Sequence, residues 1–532
     1  MLTHSGGMEI KMKKVFALFL AVALLCSCGQ KVQYVEGMFT DVHDYDAYRN
    51  AVEVCIEKGY FEAQGDSFGI FEPVSLSECA SLCVKLGGFK SKNDIEFALK
   101  NGLVYEEPGD WDKSATRAEV AYMISHALDM EEINTVLDGA LADSEDSFAK
   151  EEIYHLYRAG IFAGDKEQNT FRPDDLVNRM EMAVVIERSL DKKKRASFNM
   201  ERLEARVIAF GDTIGHMPVV DSGRTSSGYD FTNLFKNVKP YIDSADIACL
   251  NQETIFVKDL FSGYPTFGTP KEYGEAELSA GFDVVTHATN HAYDKRESGI
   301  LYTTEFWQGK DVVMLGIHES REDAEKIDTI TKNGITLALL NYTYSLNGFS
   351  LPKDKEYLVD LLDDEDKIRE DVRRARQASD GVIVFLHFGN EYQLTPSDYQ
   401  RKWAQLFADE GVLAIVGAHP HVVEPMEIVE GKNGNLVPVY YSLGNFISNQ
   451  NDLNCALCAM ADFKVVKDRN GVHIEAAKIV PVITHMEKNN YTAYLLDDYT
   501  DELARRHKFS QTHRGKFSIE YMRKLFDDIT GS

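Results

Sequence analysis

The sequence predicts a layered α/β domain preceded by an all-α repeat region. Three observations carry this. From Arg206 onward, short β-rich runs alternate with helical stretches such as 364–378 and 397–410, the pattern of sheets covered by helices. Five of those runs end in residue types that bind metal ions: RVIAFGD at Asp212, ADIACLNQE at Glu253, FDVVTHATNH at Asn290 and His291, GVIVFLH at His387, and LAIVGAHPH at His419 and His421. In an open α/β sheet the carboxyl ends of the strands meet in one crevice. Between about residues 37 and 195 the periodicity is instead helical, and a segment recurs.

The chain has 532 residues, more than one core normally serves, so two or three domains are expected. Its formal net charge of -28 disfavours nucleic acid, whose phosphates need stripes of Lys and Arg.

Residues 1–28 read as a targeting segment. Lys11, Lys13 and Lys14 precede the apolar run Val15 to Leu25, which is too short for a comfortable membrane span. Met8 or Met12 is an alternative start. Leu25-Cys26-Ser27-Cys28-Gly29 resembles a bacterial lipobox, which implies lipidation at Cys28 after cleavage; an ordinary signal peptide cleaved nearby is the alternative. The expectation is an exported protein, held by lipid at the extracytoplasmic face of the cell membrane or in the wall. Export permits disulfides. Cys79 and Cys83 lie one helical turn apart and either could meet Cys55, a pairing that spacing alone leaves open. Cys455 and Cys458 form a lone CxxC inside a strand-like run and read as buried core, not as a redox or zinc pair.

Residues 31–195 hold the repeats. The clearest copy starts at Leu141: a helix, a turn at Gly164-Asp165, the extended Phe171-Arg172-Pro173, then a second helix that Asn178 can cap. An earlier copy closes with FEPVSLSECASLCVKL, and a shortened middle copy contains SATRAEVAYMISHAL. These copies resemble S-layer homology (SLH) domains, about three in number, the first and middle degenerate. The family's Thr-Arg-Ala-Glu signature is intact at Thr116 to Glu119 and partly kept at Asn178 to Glu181, whereas Ser75-Leu76-Ser77-Glu78 lacks the arginine. The resemblance implies binding of secondary cell-wall polysaccharide, with Arg117 and Arg179 gripping an anionic substituent through their planar forks. The alternative is that both arginines serve their own helices. Asp191 to Arg195 is a short basic linker.

Residues 204–485 carry the α/β pattern, and 486–532 read as an acidic stretch and helical tail with Ser518 as a cap. Metal-assisted hydrolysis needs deprotonated ligands and a water made acidic enough to attack. Borderline divalent ions accept His nitrogen beside Asp, Glu or Asn oxygen, and two ions need a carboxylate that reaches both. Gly417-Ala418-His419-Pro420-His421 is the strongest local signal, two histidines about a proline that stiffens the loop.

Together with Gly211-Asp212, Tyr229-Asp230-Phe231, Asn251-Gln252-Glu253-Thr254, Gly263-Tyr264-Pro265, Thr289 to Asp294, Leu386 to Tyr392 and Tyr441 to Phe446, this loop resembles the CapA family. CapA proteins belong to capsule and poly-γ-glutamate biosynthesis and are related to calcineurin-like metallophosphoesterases. The resemblance implies a metallophosphoesterase-like sandwich with one or two divalent ions (Mn, Zn or Fe). Asp212 and His421 would hold one ion. Asn290, His387 and His419 would hold the other, with Glu253 between them. His291 would protonate the leaving group, oriented by Asp294. Asn251, Glu391 and Asn445 would contact substrate or support the ligands. The relatives' first-motif histidine position is filled by Ile214; His216, four residues after Asp212, is a possible metal ligand or a plain loop residue.

Other polar residues read as structural: His287 and His318 as packing, Asp230 as a cap at Thr232. The expected function is metal-dependent hydrolysis of a phosphoester, ester or amide-like bond in an envelope polymer. The alternative is a protein that binds or exports a capsule polymer without turnover. A third reading makes the SLH-like repeats the functional part.

Overall fold

The computed structural model describes residues 32–43, 46–62, 65–164, 169–513 and 516–531. The expected lipidation at Cys28 lies outside them. Among the described residues no helix is long and apolar enough to cross a membrane. The chain divides into two compact units, Met1–Glu201 and Arg202–Ser532.

The first unit is helical, with helices at Arg49–Glu57, Leu76–Leu86, Asp94–Lys100, Arg117–Ala127, Lys150–Arg158 and Arg179–Leu190. Three of them begin at the signature positions. Ser75, Thr116 and Asn178 each accept a hydrogen bond from the N–H three residues on, and Thr116 and Asn178 complete capping boxes with Glu119 and Glu181. The extended residues before these caps close a ring. Val74 N–H donates to Val177 O (2.9 Å), Val177 N–H to Ala115 O (3.0 Å), and Ala115 N–H to Val74 O (2.8 Å). Three equivalent segments thus satisfy each other's backbone around one axis.

The second unit is built on two sheets. Beside a small parallel pair, Phe256–Val257 with Thr269–Pro270, the strands of these two sheets are, in chain order, β1 (Leu203–Thr213), β2 (Ile247–Gln252), β3 (Val284–Thr286), β4 (Val313–Leu315), β5 (Asp328–Lys332), β6 (Ile335–Thr343), β7 (Gly381–His387), β8 (Ala414–Ala418), β9 (Met426–Glu430), β10 (Leu436–Tyr440), β11 (Asn445–Ile447), β12 (Leu457–Asp468), β13 (Gly471–Glu487) and β14 (Asn490–Leu495). One sheet runs β14-β13-β12-β1-β2-β3-β4, with β11 also paired to β1; the other runs β9-β10-β8-β7-β6-β5. Strands β1 to β4, and β6, β7, β8 and β10, pair in parallel. They read as continuous apolar runs because both their faces are covered. Helices Glu365–Ala378 and Asp398–Asp409 cover the second sheet, with Ile368, Val372, Trp403 and Phe407 in a core shared with Val384 and Val439.

The expected fold class, a layered α/β sandwich after a helical repeat region, is the one observed. One boundary moves. The sheet extends past residue 485, because β13 runs to Glu487 and β14 pairs with it through Tyr491 and Ala493. Helices Asp501–Arg506, Lys508–Thr512 and Ile519–Thr530 follow.

Candidate metal centre

Strand register assembles the centre. Asp212 closes β1 opposite Asn445, and His387 closes β7 opposite Ala418, the last residue of β8. Glycine permits two close approaches. A Cβ at Gly211 would lie 2.0 Å from Gly444 O, and one at Gly417 would lie 2.1 Å from Tyr441 O. After β8 the chain turns sharply: His419 (φ 100°) and His421 (φ 63°) both take left-handed backbone around Pro420. Such conformations cost a non-glycine residue about 1–3 kcal/mol and persist where surrounding structure enforces them.

Asp212 is buried. Its Oδ1 accepts from Asn251 Nδ2 (2.8 Å), its Oδ2 accepts from His419 N–H (3.3 Å) and lies 3.2 Å from His421 Nδ1. Asn251 is oriented in turn by Thr286, whose hydroxyl donates to Asn251 Oδ1 (2.8 Å). Glu253 lies 3.8 Å from both His421 Nδ1 and His291 Nε2. His387 Nε2 meets Asn290 Oδ1 at 2.8 Å, and the His387 and His419 rings stand 4.9 Å apart. Asn445 Oδ1 lies 3.1 Å from His421 Nδ1. His291 Nδ1 donates to Asp294 Oδ2 (2.7 Å), which also accepts Phe267 N–H (2.6 Å).

Several buried polar atoms here have no hydrogen-bond partner: both oxygens of Glu253, His387 Nδ1 and His419 Nδ1. Buried polar groups are ordinarily satisfied, so this concentration of orphans marks a place built for something else. The electrostatics agree. Burial pushes the Glu253 carboxyl well above its usual range. Burial, then the neighbouring His419 and His421, hold His387 well below the ordinary imidazole value, and burial with His421 does the same to His419, so both stay neutral with lone pairs free. Burial would also lower His421, yet Glu253 and Asp212 raise it to about 9. The donors that converge here, carboxylate oxygen and imidazole nitrogen, are those of a divalent cation.

Among the described residues two ligand groups emerge, Asp212–Glu253–His421 and Glu391–His419–His421, with ligand atoms in each within 4.8 Å of one another. They share His421. The first joins three of the expected ligands. The second brings in Glu391, expected to contact substrate or support the ligands. Left-handed Tyr392 donates its N–H to Pro420 O (2.8 Å), and this folds Glu391 back over the histidine loop. His216 presents Nδ1 to Asn449 N–H (3.2 Å) and packs edge-on against Phe267, with burial pushing it down to about 3.

The sequence reading missed Asn347. Its Oδ1 accepts from Asn290 Nδ2 (3.1 Å), and its Nδ2 lies 3.2 Å from His291 Nδ1. The signal was the Asn347-Gly348 turn dipeptide after β6, which places a left-handed residue (φ 50°) at the strand end. Residues read as structural behave so. His287 accepts from Trp307 Nε1 (2.9 Å), His318 pairs with Asp360 (2.9 Å), and Asp230 accepts from Thr232 N–H (2.9 Å). Cys55, Cys79, Cys83, Cys455 and Cys458 are free and buried, so neither candidate bond to Cys55 is formed.

In the first unit, Arg117 and Arg179 are each 4 % exposed. Arg117 donates Nε to Phe171 O (2.8 Å) and lies over the Phe162 and Phe171 rings; Arg179 donates Nε to Phe68 O (2.8 Å), pairs with Glu78 (2.8 Å) and lies over Phe61 and Phe68. Each guanidinium ties its helix to the loop of another repeat.

An α/β sandwich with a strand-end cluster of His and carboxylate ligands defines the class of the second unit. Residues 206–450 match the family model for the bacterial capsule synthesis protein PGA_cap, and residues 142–183 match that for the S-layer homology domain. The second unit is thus similar to the bacterial capsule synthesis proteins, and the first to the S-layer homology domain. The PGA biosynthesis protein CapA of Bacillus subtilis is 32 % identical over 213 residues, 38 % of this chain and 52 % of that protein. The capsule biosynthesis protein CapA of Bacillus anthracis is 26 % identical over 286 residues, 51 % of this chain and 68 % of that protein. The chain thus spans about half the length of the first of these relatives. The structure of Haemophilus influenzae NAD nucleotidase (NadN) is similar with a TM-score of 0.36 at 13 % identity, covering 62 % of this chain and 60 % of that one.

Proposed function

We propose that the second unit is a metal-dependent hydrolase that acts on an envelope polymer during capsule synthesis or processing. The observation that carries this is the set of buried, unpartnered ligand atoms on Glu253, His387 and His419 around Asp212 and His421. Asp212, Glu253 and His421 would hold one divalent ion; Asn290, His387 and His419, with Glu391, would hold a second. Mn, Zn and Fe all suit the donors. Such ions supply an acidified water and charge stabilisation. The protein's own part is proton delivery and orientation. Asp294 fixes His291 through Nδ1, which leaves Nε2 facing Glu253 at the rim of the cluster, where it can hand a proton to a leaving oxygen or nitrogen. Phe267 N–H, donating to Asp294 Oδ2, holds the His291–Asp294 pair in place.

The relatives named for PGA and capsule biosynthesis supply the polymer class, a poly-γ-glutamate or capsule polysaccharide. Export and lipidation at Cys28 would place the chain beside it, and the first unit would attach it to secondary wall polysaccharide. The surface that favours this attachment is aromatic. Tyr105 (62 % exposed), Tyr122 and Phe148 (45 % exposed) line a pocket of about 310 Å³ beside Glu119, suited to stack a sugar ring. The buried guanidiniums of Arg117 and Arg179 do not offer that contact.

The test is the metal content of the purified protein, wild type beside Asp212→Asn, with hydrolysis of a generic phosphodiester on the same samples. About two equivalents of metal, with activity lost in the variant, is the expected result. Metal without turnover would favour a polymer-binding role, and no metal would end the hydrolase reading.

A further inference from the structure

The C-terminal helices lie beyond residues 206–450, the stretch matched to the capsule synthesis family, and the sequence alone gave them no chemistry. In the structure one of them, Lys508–Thr512, meets a loop that borders the metal centre. Helix Lys508–Thr512 is anchored at its first turn. His507 is fully buried, stacks on Phe517 (4.0 Å between ring centroids) and bonds through Nε2 to Thr484 O (3.1 Å), and Phe509 is fully buried beside it. The anchored backbone aims Lys508 at one loop. Its Nζ donates to Asn449 Oδ1 (2.9 Å), Asn449 O (3.2 Å) and Gln450 O (3.2 Å), which uses all three ammonium protons. Tyr491 Oη donates to the same Asn449 Oδ1 (3.0 Å).

From this loop two hydrogen bonds run to the centre. Asn449 N–H donates to His216 Nδ1 (3.2 Å). Gln450 Oε1 accepts from Asn445 Nδ2 (2.9 Å), and this fixes the Asn445 amide with Oδ1 towards His421 Nδ1 (3.1 Å). Thr484, on the strand that His507 grips, donates its hydroxyl to Asn445 O. His421 is the residue common to both ligand groups, so the orientation of its ring bears on both.

We infer that Lys508 is a positioning residue of the metal centre: by clamping residues 449–450 it sets the Asn445 amide and, through it, the ring of His421, and it holds the backbone that caps His216. A loop with two outward carbonyls and no cation over them would have water as its partner and more than one arrangement. The tail is therefore a working part of the site. The inference rests on the metal reading above only for its effect on affinity.

The experiment is histidine ring ¹⁵N NMR on the whole protein, wild type, Lys508→Met and Lys508→Arg, with Mn²⁺ binding measured on the same samples. In Lys508→Met the His421 and His216 resonances shift while those of His155 and His473 stay, the Mn²⁺ dissociation constant rises about tenfold, the scale of losing a partner behind a ligand, and Lys508→Arg restores both. Unmoved His421 and His216 signals in folded Lys508→Met, or unchanged Mn²⁺ affinity there, would overturn the inference. If Lys508→Met does not fold, Gln450→Leu cuts the same path without touching the tail: it must shift His421 and spare His216, and an unmoved His421 overturns the inference. Wild-type protein that binds none of Mn²⁺, Zn²⁺ and Fe²⁺ would refute the proposed function instead, and the ring resonances would still judge Lys508.

Discussion

Glu253 Oε1 stands 3.8 Å from His291 Nε2, and no donor reaches either oxygen of that buried carboxylate. A buried carboxyl without a partner is destabilising unless it takes a proton or a cation. Its raised folded-state value means that stability is highest below the ordinary carboxyl range, where folded and unfolded chains both protonate Glu253, and is lost as pH rises from there through the raised value. Glu253→Gln removes the charge and keeps the shape. In EDTA the variant should melt a few degrees above wild type, corresponding to about 1–3 kcal/mol, and the gain should grow with pH. In Mn²⁺ the order should reverse, because the variant loses a ligand. Thermal melts in both conditions decide this; the same sign in both would remove Glu253 from the centre.

The His291–Asp294 pair should act on rate and not on metal retention. His291 Nδ1 is committed to Asp294 at 2.7 Å, which orients Nε2 for proton delivery. His291→Ala should lower kcat by about 10²–10⁴, the usual contribution of a positioned proton donor. Asp294→Asn should cost less, since an amide oxygen still accepts Phe267 N–H but no longer stabilises a charged imidazole. Both variants should keep wild-type metal content by elemental analysis. His419→Ala with His421→Ala should lose it.

Strand ends were legible because the physics is local: an apolar run must end somewhere, and a polar ligand type at that end is visible in a few residues. Asp212, Glu253, His387 and His419 were read as candidate ligands this way. Contacts made by register across the chain were not visible. Glu391 joins the histidine loop only because Tyr392 takes a left-handed turn and bonds Pro420 O. Lys508 meets residues 449–450 from 58–59 positions away. In the first unit the arginine signature was plain, but the burial of Arg117 and Arg179 depends on aromatic residues of another repeat. The sequence spacing of the repeats could not reveal the closed ring of Val74, Ala115 and Val177.

A pH-dependent lock sits away from the metal centre. His318 Nε2 lies 2.9 Å from Asp360 Oδ2, with Asp323 at 3.7 Å from Nδ1. Burial alone would push His318 down, but the charge of Asp360, its hydrogen bond and the nearby charge of Asp323 raise it to about 10. The folded-state value lies above the unfolded one, so this stabilisation is complete below about pH 6.5 and is lost as pH rises through about 10. Asp360→Asn should lower stability at neutral pH by on the order of 1–2 kcal/mol. Urea midpoints for variant and wild type should converge above pH 10; a gap that persists there would assign the loss to packing.

Stability can also be gained where burial has no function. Glu277, on helix Glu272–Ala280, is fully buried with both oxygens unpartnered, and the hydroxyl of Tyr273, one turn earlier, is buried and unpartnered too. Burial pushes the Glu277 carboxyl well up. Neither group touches the metal ligands, so Glu277→Met should stabilise the fold by about 1–3 kcal/mol at neutral pH, the cost of an unsatisfied buried group, and leave metal content unchanged. Tyr273→Phe should stabilise it by less, because a hydroxyl is cheaper to bury than a carboxyl. The two groups share no hydrogen bond, so their effects should add within about 0.5 kcal/mol although they lie on one helical face. Urea unfolding of the two single variants and the double measures that coupling. A larger value would mean that the Tyr273 hydroxyl and the Glu277 carboxyl satisfy each other in solution, and Glu277→Met alone should then destabilise the protein.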